Sequence, residues 1–233
     1  SKIIIYREGD NMEYYGYADV YTTDNNINPI IVSPNTYMQI QFLQTKETLA
    51  DPETYQRFIF NCESKFRNSV FYKNYKAFLY SIGMDHCQIH GHITSEMATL
   101  EMHHNMLTLF DLAFIICEHM LNSGYCVNTF RIIELLKMEH RKHHVQLVML
   151  TKTPHQEYHN SNGCLFLPPS MCIGYWFEFL KTYHLGISKD IAFKIIAYLD
   201  RAKDNDNKVS DNGLLDIREQ ILSWAQYNDI NFK

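Results

Sequence analysis

Leu100-Glu-Met-His-His104 and Gln146-Leu-Val-Met-Leu-Thr-Lys-Thr-Pro-His-Gln-Glu-Tyr-His159 are the two runs on which the reading of this chain turns. All but one of its 12 histidines fall between His86 and His159. Imidazole is the commonest protein ligand for a transition metal and titrates near neutrality, so this concentration points to metal-assisted acid–base chemistry. The first run reads as the end of a strand, and Val145–Leu150 is a compact β-like stretch. Thr153 and Pro154 then stand in the order of an N-cap and a first helical residue. That places His155 and His159 one turn apart on one helix face, the spacing that shared metal ligation needs.

Outward from these runs the chain reads mainly as helix. Between Pro52 and Ile82, Tyr55, Phe58, Ile59, Cys62, Phe66, Val70, Phe71, Tyr75, Phe78 and Leu79 recur at helical spacing. Asn68-Ser69 is the expected break and Gly83 the expected C-cap. Residues 87–92 and 98–104 are expected as two short strands. Leu107–Leu121 and a helix opening at Thr129 behind Asn128 follow. Beyond the second run come an aromatic helix over Tyr175–Tyr183, a helix capped by Ser188 running to Arg201, and a last helix over Leu214–Tyr227. Residues 2–6, 12–23 and 30–32 alternate as strands do.

With 233 residues, 46% hydrophobic and 14% aromatic, the chain is globular. No window approaches the roughly 18 apolar residues of a membrane span, and the start lacks a secretory core, so an intracellular, cytoplasmic protein with no membrane partner is expected. Cys62, Cys87, Cys117, Cys126, Cys164 and Cys172 form no close pair and read as free thiols. A formal charge of −5 excludes a globally basic nucleic-acid binder. A local basic footprint remains in Arg131, Lys137, Arg141-Lys142-His143-His144 and Lys152. His119, His140 and His143 read as helix-surface residues, and Met84, Met97, Met102, Met106, Met120, Met138 and Met149 as core filling.

Taken in order, Glu101-Met-His103-His104 and His155-Gln-Glu-Tyr-His159 resemble the HNH nucleases, most closely their colicin-type branch, whose core is a ββα-metal finger. The family's middle Asn, nine residues before the first helix histidine, is Gln146 here, and His144 is the neighbour able to take that role. The resemblance implies an α+β fold: a mainly helical chain around a small ββα-metal finger, with an N-terminal β-rich segment. It divides the chain into residues 1–84, an HNH-like core over 85–165 with a helical insertion at about 106–141, and a helical region over 166–233. His103, His155 and His159 are implied as ligands of one divalent ion, with Mg, Mn, Ni and Zn equally admissible. Three neutral imidazoles leave a coordination position open for a phosphate oxygen and a water. His104 is implied as the general base on that water, with Glu101 and Gln146 orienting the imidazoles.

The implied function is metal-dependent endonuclease hydrolysis of DNA phosphodiester bonds, with DNA as partner and further protein partners met through the terminal regions. The alternative is a metal-stapled finger without catalysis, a structural or nucleic-acid-binding part of a larger, phage-like assembly. Gln146 in place of Asn, the negative net charge and a helical insertion able to cover the site motivate it. No P-loop, dinucleotide-binding fingerprint or GxSxG is present.

Overall fold

The computed structural model describes residues 43–154, 156 and 166–205. The chain divides into two units, Ser1–Gln44 and Thr45–Lys233, and the described helices and strands all lie in the second. Helix α1 (Pro52–Arg67) opens where the Asp51 carboxylate accepts from the Thr54 amide with proline in the first turn, and it stops at Asn68. Ser69 restarts the chain as N-cap of α2 (Val70–Ser81), its hydroxyl accepting from the Tyr72 amide at 3.1 Å. The expected break at Asn68-Ser69 is therefore a pair of adjacent caps. Gly83 follows α2 at φ +93°, a left-handed conformation that suits glycine and closes the helix end.

After strand β1 (Leu100–His104), a reciprocal capping box between Thr108 and Asp111 starts α3 (Leu109–Asn122). Asn128 caps α4 (Thr129–Arg141) through the Arg131 amide. Strand β2 (Leu147–Thr151), α5 (Trp176–Thr182) and α6 (Lys189–Asn205) complete the order. The Ser188 hydroxyl accepts from the Ile191 amide at 3.3 Å at the head of α6, which runs four residues beyond the expected Arg201.

β1 and β2 pair antiparallel in the register Leu100↔Thr151, Met102↔Met149 and His104↔Leu147. All five residues of β2 are buried, which explains its unbroken apolar sequence: a strand covered on both faces does not alternate. Its outer edge is closed by Gln88, whose amide donates to the Met149 carbonyl and whose side chain accepts from the Met149 amide, and by a bridge to Ile173. Helices predominate and the sheet is small, so the class is α+β, in agreement with the sequence.

Ile59, Cys62 and Phe66 of α1, Leu79 of α2, Ile115 and Ile116 of α3, and Ile132 and Leu136 of α4 are fully buried in the core. The expected strand at 87–92 is instead a tight loop. The Cys87 amide donates to Ile93 and the Ile93 amide to His90, so the backbone closes on itself while Cys87 is buried. Met84, Met102, Met106, Met120 and Met149 fill the core as expected, but Met97 is 68% exposed. Cys62, Cys87, Cys117, Cys126 and Cys172 are free thiols. No described helix is long and apolar enough to cross a membrane. The expected strands at 2–6, 12–23 and 30–32, the helix at 214–227 and Cys164 lie outside the described residues.

Candidate functional site

The hairpin sets the two neighbouring histidines of β1 on opposite sides, because successive strand residues alternate. His104 points at α4. Its Nε2 lies 2.9 Å from Nε2 of His140, and His140 Nδ1 lies 2.7 Å from the Leu136 carbonyl. A carbonyl can only accept, so His140 carries its proton on Nδ1 and offers a lone pair on Nε2; His104 must then donate from Nε2. His104 Nδ1 is left as a buried lone pair with no hydrogen-bond partner among the described residues. The rings of Phe66, Tyr75 and Phe71 surround His140 at centroid distances of 4.7, 5.4 and 6.4 Å.

This cage keeps both imidazoles neutral. Burial pushes His140 down to about 4, partly opposed by the hydrogen bond to Leu136. Burial also holds His104 well below the usual histidine range, helped by His140 and by the charge of Arg67. His104, the implied general base, is thus 4% exposed and faces an aromatic cage.

His103 lies in β1 opposite Val148 and is 4% exposed. The chain is helical from residue 152, so Thr153, expected as an N-cap, lies inside the first turn. His155 and His159, the other two implied ligands, lie outside the described residues. The described part of the implied metal centre is therefore one imidazole, and among the described residues no group of three His, Cys, Asp or Glu side chains converges to hold an ion. Glu101 is half-buried opposite Leu150. His86, His90 and His92 form a loose surface group, with His90 and His92 ring centroids 6.3 Å apart.

Gln146, expected to orient His104, belongs to a different network. Its Oε1 accepts from Asn105 Nδ2 at 3.3 Å and its Nε2 donates to the Tyr198 hydroxyl at 3.2 Å. The same Asn105 Nδ2, whose two hydrogens these acceptors share, lies 2.9 Å from the Tyr198 hydroxyl and 3.0 Å from the Leu167 carbonyl. One buried amide thereby joins the end of β1, the approach to β2, the segment before α5, and α6. Asn105→Ala is expected to cost about 2 kcal/mol, because it strips partners from several buried polar atoms at once. Urea unfolding of the variant beside wild type measures it.

Glu139 anchors a second buried cluster. It is fully buried, with His144 Nδ1 at 2.8 Å, the Tyr183 hydroxyl at 3.0 Å and Lys142 Nζ at 3.8 Å. His144, the alternative for the family's middle role, is thus tied to Glu139. The sequence reading overlooks Glu139, Asn105 and Tyr198, and it misplaces His140. That residue is fully buried, not on the helix surface, and the signal was available: Ile132, Leu136 and His140 recur every four residues, on one helix face. His143 is half-buried against Tyr75, 3.2 Å from its hydroxyl.

No curated protein and no solved structure matches the chain. The family model of the bacteriophage G278-like virion proteins matches residues 19–231.

Proposed function

The chain belongs to the bacteriophage G278-like virion protein family, and on that premise we propose that it is a non-catalytic structural component of the phage particle, assembled with other virion proteins. The observation that carries the non-catalytic part is the enclosure of His104. A base must reach a water and take its proton at working pH. Here the Nε2 proton is committed to His140, and burial disfavours the imidazolium. His104 acts as core: it lets β1 meet α4 through a directional contact to His140 that an aliphatic pair would not supply.

A nuclease is the second reading. What favours it is that β1 and β2, with α3 and α4 between them in the chain, pair antiparallel, with His103 on β1 and a helix opening directly after β2. In that reading the bound metal would polarise a phosphate oxygen, and His103 with His155 and His159 would hold it.

Plasmid cleavage by the folded chain across Mg²⁺, Mn²⁺, Ni²⁺ and Zn²⁺, paired with electron microscopy of particles made without the gene, separates the two. The structural reading expects intact plasmid under every metal and incomplete particles. Metal-dependent cleavage that disappears in His104→Ala, with particles assembling normally, would overturn it.

A further inference from the structure

Two stretches of chain that pack around α2 are net positive in a chain that is net negative, with Glu63, Glu101 and Glu139 at their borders. Residues 64–84 and 140–154 hold seven of the 21 Lys and Arg and none of the 26 Asp and Glu, in a chain of net charge −5. Packing brings these distant stretches together. On one flank of α2, the Arg141 guanidinium lies 5.0 Å from the centre of the Phe71 ring. His143 there bonds Tyr75 and stands 5.8 Å from the Phe78 ring. On the other flank, Lys76 donates to the Leu100 carbonyl, and Leu100 pairs with Thr151, directly before Lys152.

Lys73, Arg141, Lys142 and Lys152 are exposed. Among the described residues no carboxylate pairs with Lys73, Arg141 or Lys152. Lys142 has only the buried Glu139 at 3.8 Å, a carboxylate already bonded to His144 and Tyr183. Arg67 alone is closely paired, with Glu63 at 2.9 Å.

Exposed cations with no close carboxylate among the described residues, drawn from three elements and set around a helix about 18 Å long, fit a partner that presents negative charge at short, regular intervals. A nucleic-acid backbone does so. A lipid surface would ask for a continuous apolar stripe. The large exposed apolar residues of α2 and its C-cap, Val70, Phe78 and Ile82, are interrupted by Asn74 and Ser81, both exposed. We propose that the surface around α2, with Lys73, Arg141, Lys142 and Lys152 as its exposed cations, binds the phosphodiester backbone of nucleic acid without reading its sequence. This goes beyond the structural role above and does not rest on it.

Fluorescence anisotropy of a labelled duplex of about 25 base pairs, titrated with the full chain, tests the proposal. With about four phosphates neutralised, affinity should fall about 100-fold between 50 and 200 mM salt. Lys73→Glu/Lys152→Glu should weaken binding at least about tenfold, and Lys189→Glu/Lys203→Glu, the same charge change on α6, less than about threefold. Lys73→Gln/Lys152→Gln serves as the second variant if charge reversal impairs folding. Absence of duplex binding at about 50 mM salt, equal weakening by both charge reversals, or binding to phosphatidylglycerol vesicles that the duplex does not compete away would each overturn the proposal.

Discussion

Gly186→Ala is expected to lower the melting temperature by more than about 10 °C or to prevent folding altogether. Gly186 closes the short 3-10 turn His184–Gly186 after α5, and its Cα lies against the middle of α3. A methyl group there would sit 1.9 Å from the Ile115 carbonyl oxygen, 2.7 Å from its carbon and 2.9 Å from the His119 amide nitrogen. All three are backbone atoms of a helix whose Ile115, Ile116 and Cys117 are fully buried, so α3 cannot yield locally. The turn must lift instead, which breaks the bond from Asn122 to the Leu185 carbonyl at 2.7 Å and uncovers Leu180, Tyr183 and Ile187. Overpacking against fixed backbone belongs to the largest class of single-site effects, above about 4 kcal/mol. At about 2–4 °C per kcal/mol for a chain of this size, that sets the expected shift. Gly91→Ala is the matched control, since a methyl group at Gly91 meets nothing within 4 Å. Differential scanning calorimetry of both variants measures the contrast, and a fall of only about 1–2 °C for Gly186→Ala would contradict the close approach.

Acidification is expected to destabilise the fold steeply below about pH 6.5. The folded chain holds His140 neutral down to about 4, whereas the unfolded chain protonates it near 6.5. Between those values the unfolded state binds the extra proton, so stability falls as pH falls, by about 1.4 kcal/mol per pH unit. The contribution is complete above about pH 6.5, has lost about 2 kcal/mol by about pH 5, and is lost entirely below about pH 4. His104 is shifted in the same direction and steepens the slope over the same window. Urea midpoints collected from pH 7.5 to pH 5 should therefore decline, and the His104→Leu/His140→Leu double variant should decline much less. Parallel curves for the two proteins would mean that the pair does not couple to folding.

The parts legible in the sequence are those written in local chemistry. Asn68-Ser69 announces the α1–α2 break because side-chain caps act within three residues, and the Thr108–Asp111 capping box marks the head of α3 in the same way. The antiparallel partner of Leu100–His104 is not a local property. It lies about forty residues on, beyond two helices, and only the paired histidine and apolar runs hint at it.

The surroundings of each histidine are harder still to read. Alternation along β1 separates His103 from His104 without saying which one meets α4. Residue type argues for the surface at His140, while its spacing from Ile132 and Leu136 argues for the core; tertiary packing on Phe66 and Tyr75 decides for the core. Glu139 and Asn105 escape because a buried polar side chain is defined by partners that arrive from distant elements. Glu139 waits on Tyr183 and Asn105 on Tyr198.

The proposed role of His104, a structural donor to His140, is tested by long-range proton–nitrogen NMR of the imidazole rings between pH 8 and pH 5. His104 should be protonated on Nε2 and His140 on Nδ1, both neutral across the range and unmoved by added divalent metal. A His104 ring that titrates near the ordinary histidine value of about 6.5, or that shifts when Zn²⁺ or Mg²⁺ is added, would contradict it.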